Sequence, residues 1–305
     1  MIEKETLIIL GAGASKPYGF PLGSELRDSV IRKKDNMWVY DAALSMGFSD
    51  EEYADFTNDL SHSGFSSVDA FLENNDRWLH IGKSAIALDL LGSEHSCKKN
   101  LFPPNQPLDH WYEALWSRLR APSWAAFKKN PVTIVTFNYD RSLEHYLTKV
   151  LCNNYKIKPA TAMRGLSALP ILHVHGDLGN YIAPDGQVDF ARKVDQFRYD
   201  TARRRIKIVH EDIGGTEEFA VTRKCLEKAE RILFIGFGYH SSNMVKLGIE
   251  ERVGINGLGI FRAFGTHKGI KSNAWSRICH YYGFCYSAQS QGGGSITEFI
   301  SEWLE

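Results

Sequence analysis

The sequence predicts an α/β protein: a doubly wound parallel sheet of Rossmann-like type, carrying an inserted, mainly helical subdomain. Three observations predict it. An apolar run, Leu7-Ile8-Ile9-Leu10, breaks at once into Gly11-Ala12-Gly13-Ala14-Ser15, as a strand buried on both faces does when it enters a bare turn. Further short apolar runs alternate with amphipathic stretches, the pattern of strands joined by crossover helices. Between about residues 36 and 130, aromatic side chains at helical spacings (Trp111, Leu115, Trp116, Leu119) replace the strand-like runs.

Each element has its own signal. After the first strand, Pro17, Gly19 and Pro21 mark a loop, and a helix is expected near Ser24 to Lys33. "NLFPPNQP" is a loop within the helical stretch. "VTIVTFNYD" reads as a second buried strand, with Asp140 placed to cap the helix that follows. In that helix Leu143, Tyr146, Leu147, Val150 and Leu151 form one apolar face. "PILHVHGDLG" is expected to be a third strand ending at His175-Gly176. "TRKCLEKAE" is a helix, and "RILFIGFG" a fourth strand ending in a glycine turn. "GLGIFRAFG" and "GFCYSA" look like further strands, and Ser295 to Glu298 is a capping box opening the final helix. "QGGGS", at 291 to 295, is a short loop, and the chain has no internal repeat. The expected organisation is therefore an α/β domain from residues 1–35 and 131–305, and a helical insert from 36–130.

Composition narrows the function classes. The 305 residues are 43% hydrophobic and 24% charged, enough apolar material for a substantial core. Thirty-six basic and thirty-six acidic side chains cancel, so no nucleic-acid-binding face is expected. The run Arg203-Arg204-Arg205 is read as a solvated patch. Five cysteines, none in a CxxC pair, argue against a disulfide framework and a structural zinc site, and favour a reducing compartment. No stretch reaches the roughly twenty apolar residues of a membrane span, and no signal peptide is evident. The expectation is a cytoplasmic protein.

In a doubly wound sheet, ligands sit at the carboxyl ends of the strands. Four motifs fall there: Gly11-Ala12-Gly13, Asn138-Tyr139-Asp140, His175-Gly176 and Gly236-Phe237-Gly238. A strand ending in Gly-x-Gly offers backbone N–H groups to a diphosphate, or simply turns tightly. A standard dinucleotide fingerprint is incomplete, because the third glycine is replaced by Lys16 and no second strand with a terminal acid follows.

Taken in order, "GAGAS", "TFNYD" and "HGDL" resemble the sirtuin superfamily, and within it the bacterial sirtuin-like branch associated with antiviral defence. Gly11, Ala12, Gly13, Ala14 and Ser15 match the phosphate loop. Thr136, Asn138 and Asp140 match the second motif, with Phe137 where sirtuins have glutamine. His175 and Gly176 match the motif whose histidine is the catalytic base, and Gly236 and Gly238 match the turn that completes the NAD site. The resemblance covers residues 5 to 30 and 130 to 265. The zinc ribbon of the protein-deacylating sirtuins is missing, and "YGFPLGSEL" stands in place of their Pro-Asp-Phe-Arg segment.

What the resemblance implies is an NAD glycohydrolase, yielding nicotinamide and ADP-ribose and depleting NAD during phage infection. NAD would be its substrate, with no metal required. A constantly active enzyme of this kind is toxic, so gating is expected, by homo-oligomerisation or by a separately encoded trigger such as a HerA-type DNA-translocating ATPase. Asn138 suits the orientation of a water or ribose hydroxyls, because an amide both donates and accepts. A neutral His175 can take a proton. Asp140 can orient its neighbours or favour positive charge on the sugar. Each also has a plainer reading: Asn138 and Asp140 shape the strand-to-helix turn, and His175 is a packed core histidine. His173 is read as a packed neighbour of His175, Ser15 as a helix cap that also touches phosphate, Tyr139 as core, and Phe20 as a ring that packs on nicotinamide. The alternatives are an NAD-dependent deacylase or ADP-ribosyltransferase, and a non-catalytic NAD or ADP-ribose sensor. A further one is a metal-dependent phosphoesterase built on "HVHGD", since His-x-His on a strand is a ligand spacing.

Overall fold

The computed structural model describes residues 1–32, 41, 43–44, 47–104, 109–183, 187–208, 216–249, 262–284 and 294–304. Strands β1 (Thr6–Leu10), β2 (Val132–Thr136), β3 (Ile171–His173), β4 (Arg231–Ile235) and β5 (Ala263–Gly265) form one sheet in the order β3-β2-β1-β4-β5, every pairing parallel. β1 lies at the centre with all five residues buried, which is why its sequence is an unbroken apolar run and not an alternation.

Side chains still alternate between the faces. Ile8, Leu10 and Ile134 join one hydrophobic cluster, while Leu7, Ile9, Val135 and Phe234 join another on the opposite face. The first face is covered by the helices between β1 and β2: α1 (Ala12–Ser15), α2 (Gly23–Ile31), α3 (Asp50–His62), α4 (Val68–Leu72), α5 (Leu79–Ser96), α6 (Lys98–Leu101), α7 (Trp111–Leu119) and α8 (Trp124–Phe127). Among the described residues from 36 to 130 there is no strand. Phe56, Phe71, Leu88 and Leu115 from this stretch belong to the same cluster as Ile8 and Ile134, so these helices share the core of the sheet. The same cluster takes in α9 (Ser142–Tyr155) and α10 (Pro159–Leu166), and Tyr199 and Ala202 of α11 (Gln196–Arg205). The second face packs against α12 (Glu217–Lys228), α13 (Ser241–Lys246) and α14 (Ser272–Tyr282), and α15 (Ile296–Trp303) closes the described chain behind its Ser295–Glu298 capping box.

Two elements differ from the sequence expectation. β3 stops at His173, because the Gly176 N–H turns back onto the His173 carbonyl (3.3 Å); His175 therefore sits in a turn and not on the strand. In "GFCYSA", Gly283 is the left-handed cap of α14 and Phe284 follows it, neither in a strand, and residues 285–290 lie outside the described residues. Of "GLGIFRAFG", only Ala263–Gly265 is described as strand, and residues 257–261 lie outside, as do residues 291–293 of "QGGGS".

The strand order sets the location of the site. From β1 the chain moves outward to β2 and then β3, and from β4 outward to β5. The loops leaving β1 and β4 diverge, which makes their carboxyl ends the topological switch point where such sheets take ligands.

Candidate functional site

The glycine turn after β1 lies directly against the turn after β4. The Gly11 N–H donates to the Ile235 carbonyl (3.0 Å), and the Gly13 N–H to the Gly236 carbonyl (2.9 Å). A Cβ on Gly11 would stand 2.6 Å from the Gly236 oxygen, and one on Gly236, whose φ is +59°, 2.0 Å from the Ala14 nitrogen. Backbone meets backbone here, so the glycines are required by packing whatever ligand they hold. Gly238 is under no such constraint, since its Cβ would meet only the His240 ring at 3.1 Å. From the helical region the Trp111 indole Nε1–H donates to the Ala14 carbonyl (2.7 Å) and pins the turn from the other side.

At the end of β2, Thr136 Oγ1 accepts the Asn138 N–H (3.0 Å), bending the chain so that the Asn138 side chain reaches the glycine turn. Its Nδ2 donates to the Gly11 carbonyl (2.9 Å) and to Ser15 Oγ (3.0 Å). Ser15 in turn hydrogen-bonds the Asp140 carboxylate. Asp140 Oδ1 also accepts the Ser142 N–H (3.0 Å) and the Ser142 hydroxyl, so it takes up the first N–H of α9 from one residue before the N-cap, which is Arg141. Ser142 continues the chain of bonds to the Tyr112 hydroxyl (2.7 Å). Burial pushes the Asp140 carboxyl above the usual carboxylate range, against the pull of these donors. Asn138, Ser15, Asp140 and the glycine turn thus form one buried, hydrogen-bonded unit.

His175 belongs to the opposite face of the sheet. Its ring packs on Phe137 (centroids 5.2 Å apart) and Phe219 (6.1 Å), and only 6% of the residue is exposed. Its Nδ1 is buried with no hydrogen-bond partner. Burial, reinforced by the Lys246 charge, pulls its pKa down to about 3, so the imidazole is neutral at physiological pH. No hydrogen bond among the described residues joins His175 to Asn138. The link is Phe137, adjacent to Asn138 in sequence, whose ring touches both His175 and Phe237 of the β4 turn (5.0 Å). His173 has a different neighbourhood. Its Nδ1–H donates to the Asn138 carbonyl (2.8 Å) and its Nε2–H to Glu144 (2.6 Å). Burial opposes a charge on this ring, but the Glu144 carboxylate overrides it and holds the pKa up at about 9. Tyr139 is buried, with its hydroxyl on Asp69 (2.5 Å).

Four contributors to this edge carry no motif in the sequence: Trp111, Glu144, Lys246 and the Asp69 that meets Tyr139. Only Trp111 stood out in the sequence, as part of a helically spaced aromatic stretch and not as a site residue. Phe20 is buried in the core and also lines a separate cleft of about 840 Å³ with Lys16, Pro21, Glu25, Asp89 and Lys193. That cleft does not include Asn138 or His175. The basic run is largely paired: Arg205 grips Asp177 through two bonds (2.6 and 2.7 Å), and Arg203 meets Asp200. Among the described residues no group of three or more His, Cys, Asp or Glu side chains is placed to hold a metal, and no helix is long and apolar enough to cross a membrane.

The fold and site define a class: an α/β protein with a five-stranded parallel Rossmann-like sheet and a polar, glycine-lined edge at its switch point. No protein-family model matches the chain, and none of the curated proteins is significantly similar to it.

Proposed function

We propose that this chain is an NAD glycohydrolase of sirtuin-like type, cleaving NAD to nicotinamide and ADP-ribose. The observation that carries the reading is the Asn138 amide bonded at once to the Gly11 carbonyl and Ser15 at the sheet's switch point, with a neutral, buried His175 one aromatic ring away. The order of the three sequence motifs supports it as well.

In this reading the dinucleotide lies over the turn formed by Gly11, Ala12, Gly13, Ala14 and Ser15, with Gly236 and Gly238 bordering its ribose. The C–N glycosidic bond breaks, its electron pair leaves on the nicotinamide nitrogen, and an oxocarbenium-like ribose remains. Asn138 Oδ1, whose amide protons are both committed, accepts from the incoming water or a ribose hydroxyl. Water attacks the anomeric carbon and its proton passes to His175. A positioned base contributes about a hundred- to ten-thousand-fold. A buried edge keeps bulk water from screening the interactions that stabilise the cationic sugar. Thr136 and Asp140 hold Asn138 and Ser15 in place.

The biological role follows from the resemblance: NAD depletion in bacterial antiphage defence, restrained by homo-oligomerisation or by a separately encoded trigger such as a HerA-type DNA-translocating ATPase. Purified protein incubated with NAD, alone and with such a trigger, is expected to release nicotinamide, and Asn138→Ala to lower the rate at least a hundredfold. NAD left intact in every condition, or an unchanged rate in the variant, would refute the proposal. One observation favours a second reading, a non-catalytic NAD sensor: the amide protons of Asn138 already serve the fold. Tight NAD binding without turnover would select it.

A further inference from the structure

The cleft between α2 and α5 plays no part in NAD cleavage as proposed. It begins at Lys16, the residue after Ser15, and neither Asn138 nor His175 lines it. Its volume of about 840 Å³ lies in the range of small-molecule sites, about 300–1,000 Å³. Phe20, expected from the sequence to pack on nicotinamide, lines this cleft. The walls are fastened by bonds of their own. From α2, the Ser29 hydroxyl donates to the Asp89 carboxylate of α5. The segment carrying Lys193 and Val194 is tied to α5 through Ala191: its N–H donates to Glu94 Oε1 (2.8 Å), and its carbonyl accepts from His95 Nδ1–H (3.3 Å). A ligand that enters does not have to order these walls, which favours binding.

Four charged side chains line the cleft. Lys16 and Glu25 pair with each other at the end nearest the glycine turn, and Glu25 also accepts the Leu22 N–H (2.8 Å). These two charges cancel. Asp89 and Lys193 remain, in opposite settings: Asp89 is only 7% exposed, whereas Lys193 faces solvent. Burial pushes the Asp89 carboxyl above the usual range, so every hydroxyl that donates to it stabilises its charged form. Ser29 is one such donor, and a carboxylate accepts about four. A buried carboxylate suits the vicinal hydroxyls of a ribose, and a mobile ammonium at the mouth suits a phosphate. Pro21 and Val194 add apolar surface against which a base can lie.

We propose that this cleft is a second ligand site, for a phosphorylated ribose, with the sugar diol on Asp89 and the phosphate toward Lys193. It is separate from the switch-point edge, and it stands whether or not the chain cleaves NAD. Either a nucleotide or a free sugar phosphate carries the required groups.

Calorimetric titration of the full chain with AMP, ribose 5-phosphate and adenosine tests this directly. Tighter binding of AMP than of ribose 5-phosphate identifies a nucleotide site, and equal binding a sugar-phosphate site. In both cases Asp89→Asn is expected to weaken binding at least about tenfold. AMP is expected to bind about fivefold more tightly than adenosine, and Lys193→Met to abolish that difference. Lys193 is exposed, so its substitution keeps the test decisive should Asp89→Asn fold poorly. Asn138→Ala is expected to leave AMP binding within about twofold of the parent, because Asn138 does not line the cleft. Several results would overturn the site: no binding of AMP or ribose 5-phosphate by the parent chain, parent affinity in a folded Asp89→Asn, or a preference for AMP over adenosine that survives Lys193→Met. Loss of AMP binding in Asn138→Ala would move the ligand to the switch point and overturn it too.

Discussion

Asn138 shows how a single buried side chain joins two turns at one edge of the sheet. Its two amide protons tie the end of β2 to the glycine turn of β1, through the Gly11 carbonyl and Ser15. Removing both bonds in Asn138→Ala is expected to cost about 1–3 kcal/mol, read in urea unfolding, alongside the loss of turnover. His173 holds the same residue from behind through the Asn138 carbonyl. With its pKa raised to about 9, native His173 keeps a proton that the unfolded chain has lost above about pH 6.5. Its stabilisation is complete below that pH and disappears as pH rises through 9, at up to ~1.4 kcal/mol per pH unit. In His173→Gln the unfolding free energy should therefore fall less between pH 6.5 and 9 than in the parent. Parallel curves would show that His173 is uncharged. His175 has the opposite sign: with a pKa near 3 it opposes folding progressively as pH falls below about 6.5.

Among the elements, the two glycine turns were legible in the sequence, but their mutual contact was not. The strand–turn pattern of "LIILGAGAS" identifies a bare turn, and only the pairing of β1 with β4 shows that Gly11 and Gly13 face Gly236. Gly236→Ala, forced to φ +59° with a Cβ 2.0 Å from the Ala14 nitrogen, should destabilise by at least about 2 kcal/mol, or prevent folding. Gly238→Ala should change the unfolding midpoint little, because the His240 ring can move aside. Similar effects of the two substitutions would contradict the packing argument. β3 was legible as a strand but not in its length. "ILHVH" alternates as a strand does, whereas the turn at Gly176 depends on where Arg205 passes, with its carbonyl 1.8 Å from any Cβ on that glycine. Periodicity cannot see such a long-range contact.

Across the whole molecule, the parallel sheet and the helical character between β1 and β2 could both be read from hydrophobic spacing. What could not be read was how the helical stretch is tied to the site. Glu94 on α5 is buried between Arg141 (2.8 Å), the residue after Asp140, and Arg198 of α11 (2.7 Å), and Asp189 bonds both guanidinium groups. None of these residues belongs to a motif, and their pairing spans about a hundred positions of sequence. Glu94→Ala leaves two buried cations short of a partner and is expected to cost about 3–5 kcal/mol, measured by the unfolding midpoint. A loss below 1 kcal/mol would mean that the network is solvated.

The central claim is that this sheet edge splits the nicotinamide bond of NAD. Chromatographic quantification of NAD, nicotinamide and ADP-ribose over time, for the parent chain and His175→Ala, alone and with the proposed trigger, tests it most directly. The account predicts nicotinamide and ADP-ribose in equal amounts from the parent, and at least a hundredfold less of both from the variant. Undiminished NAD, or identical progress curves for the two proteins, would contradict it.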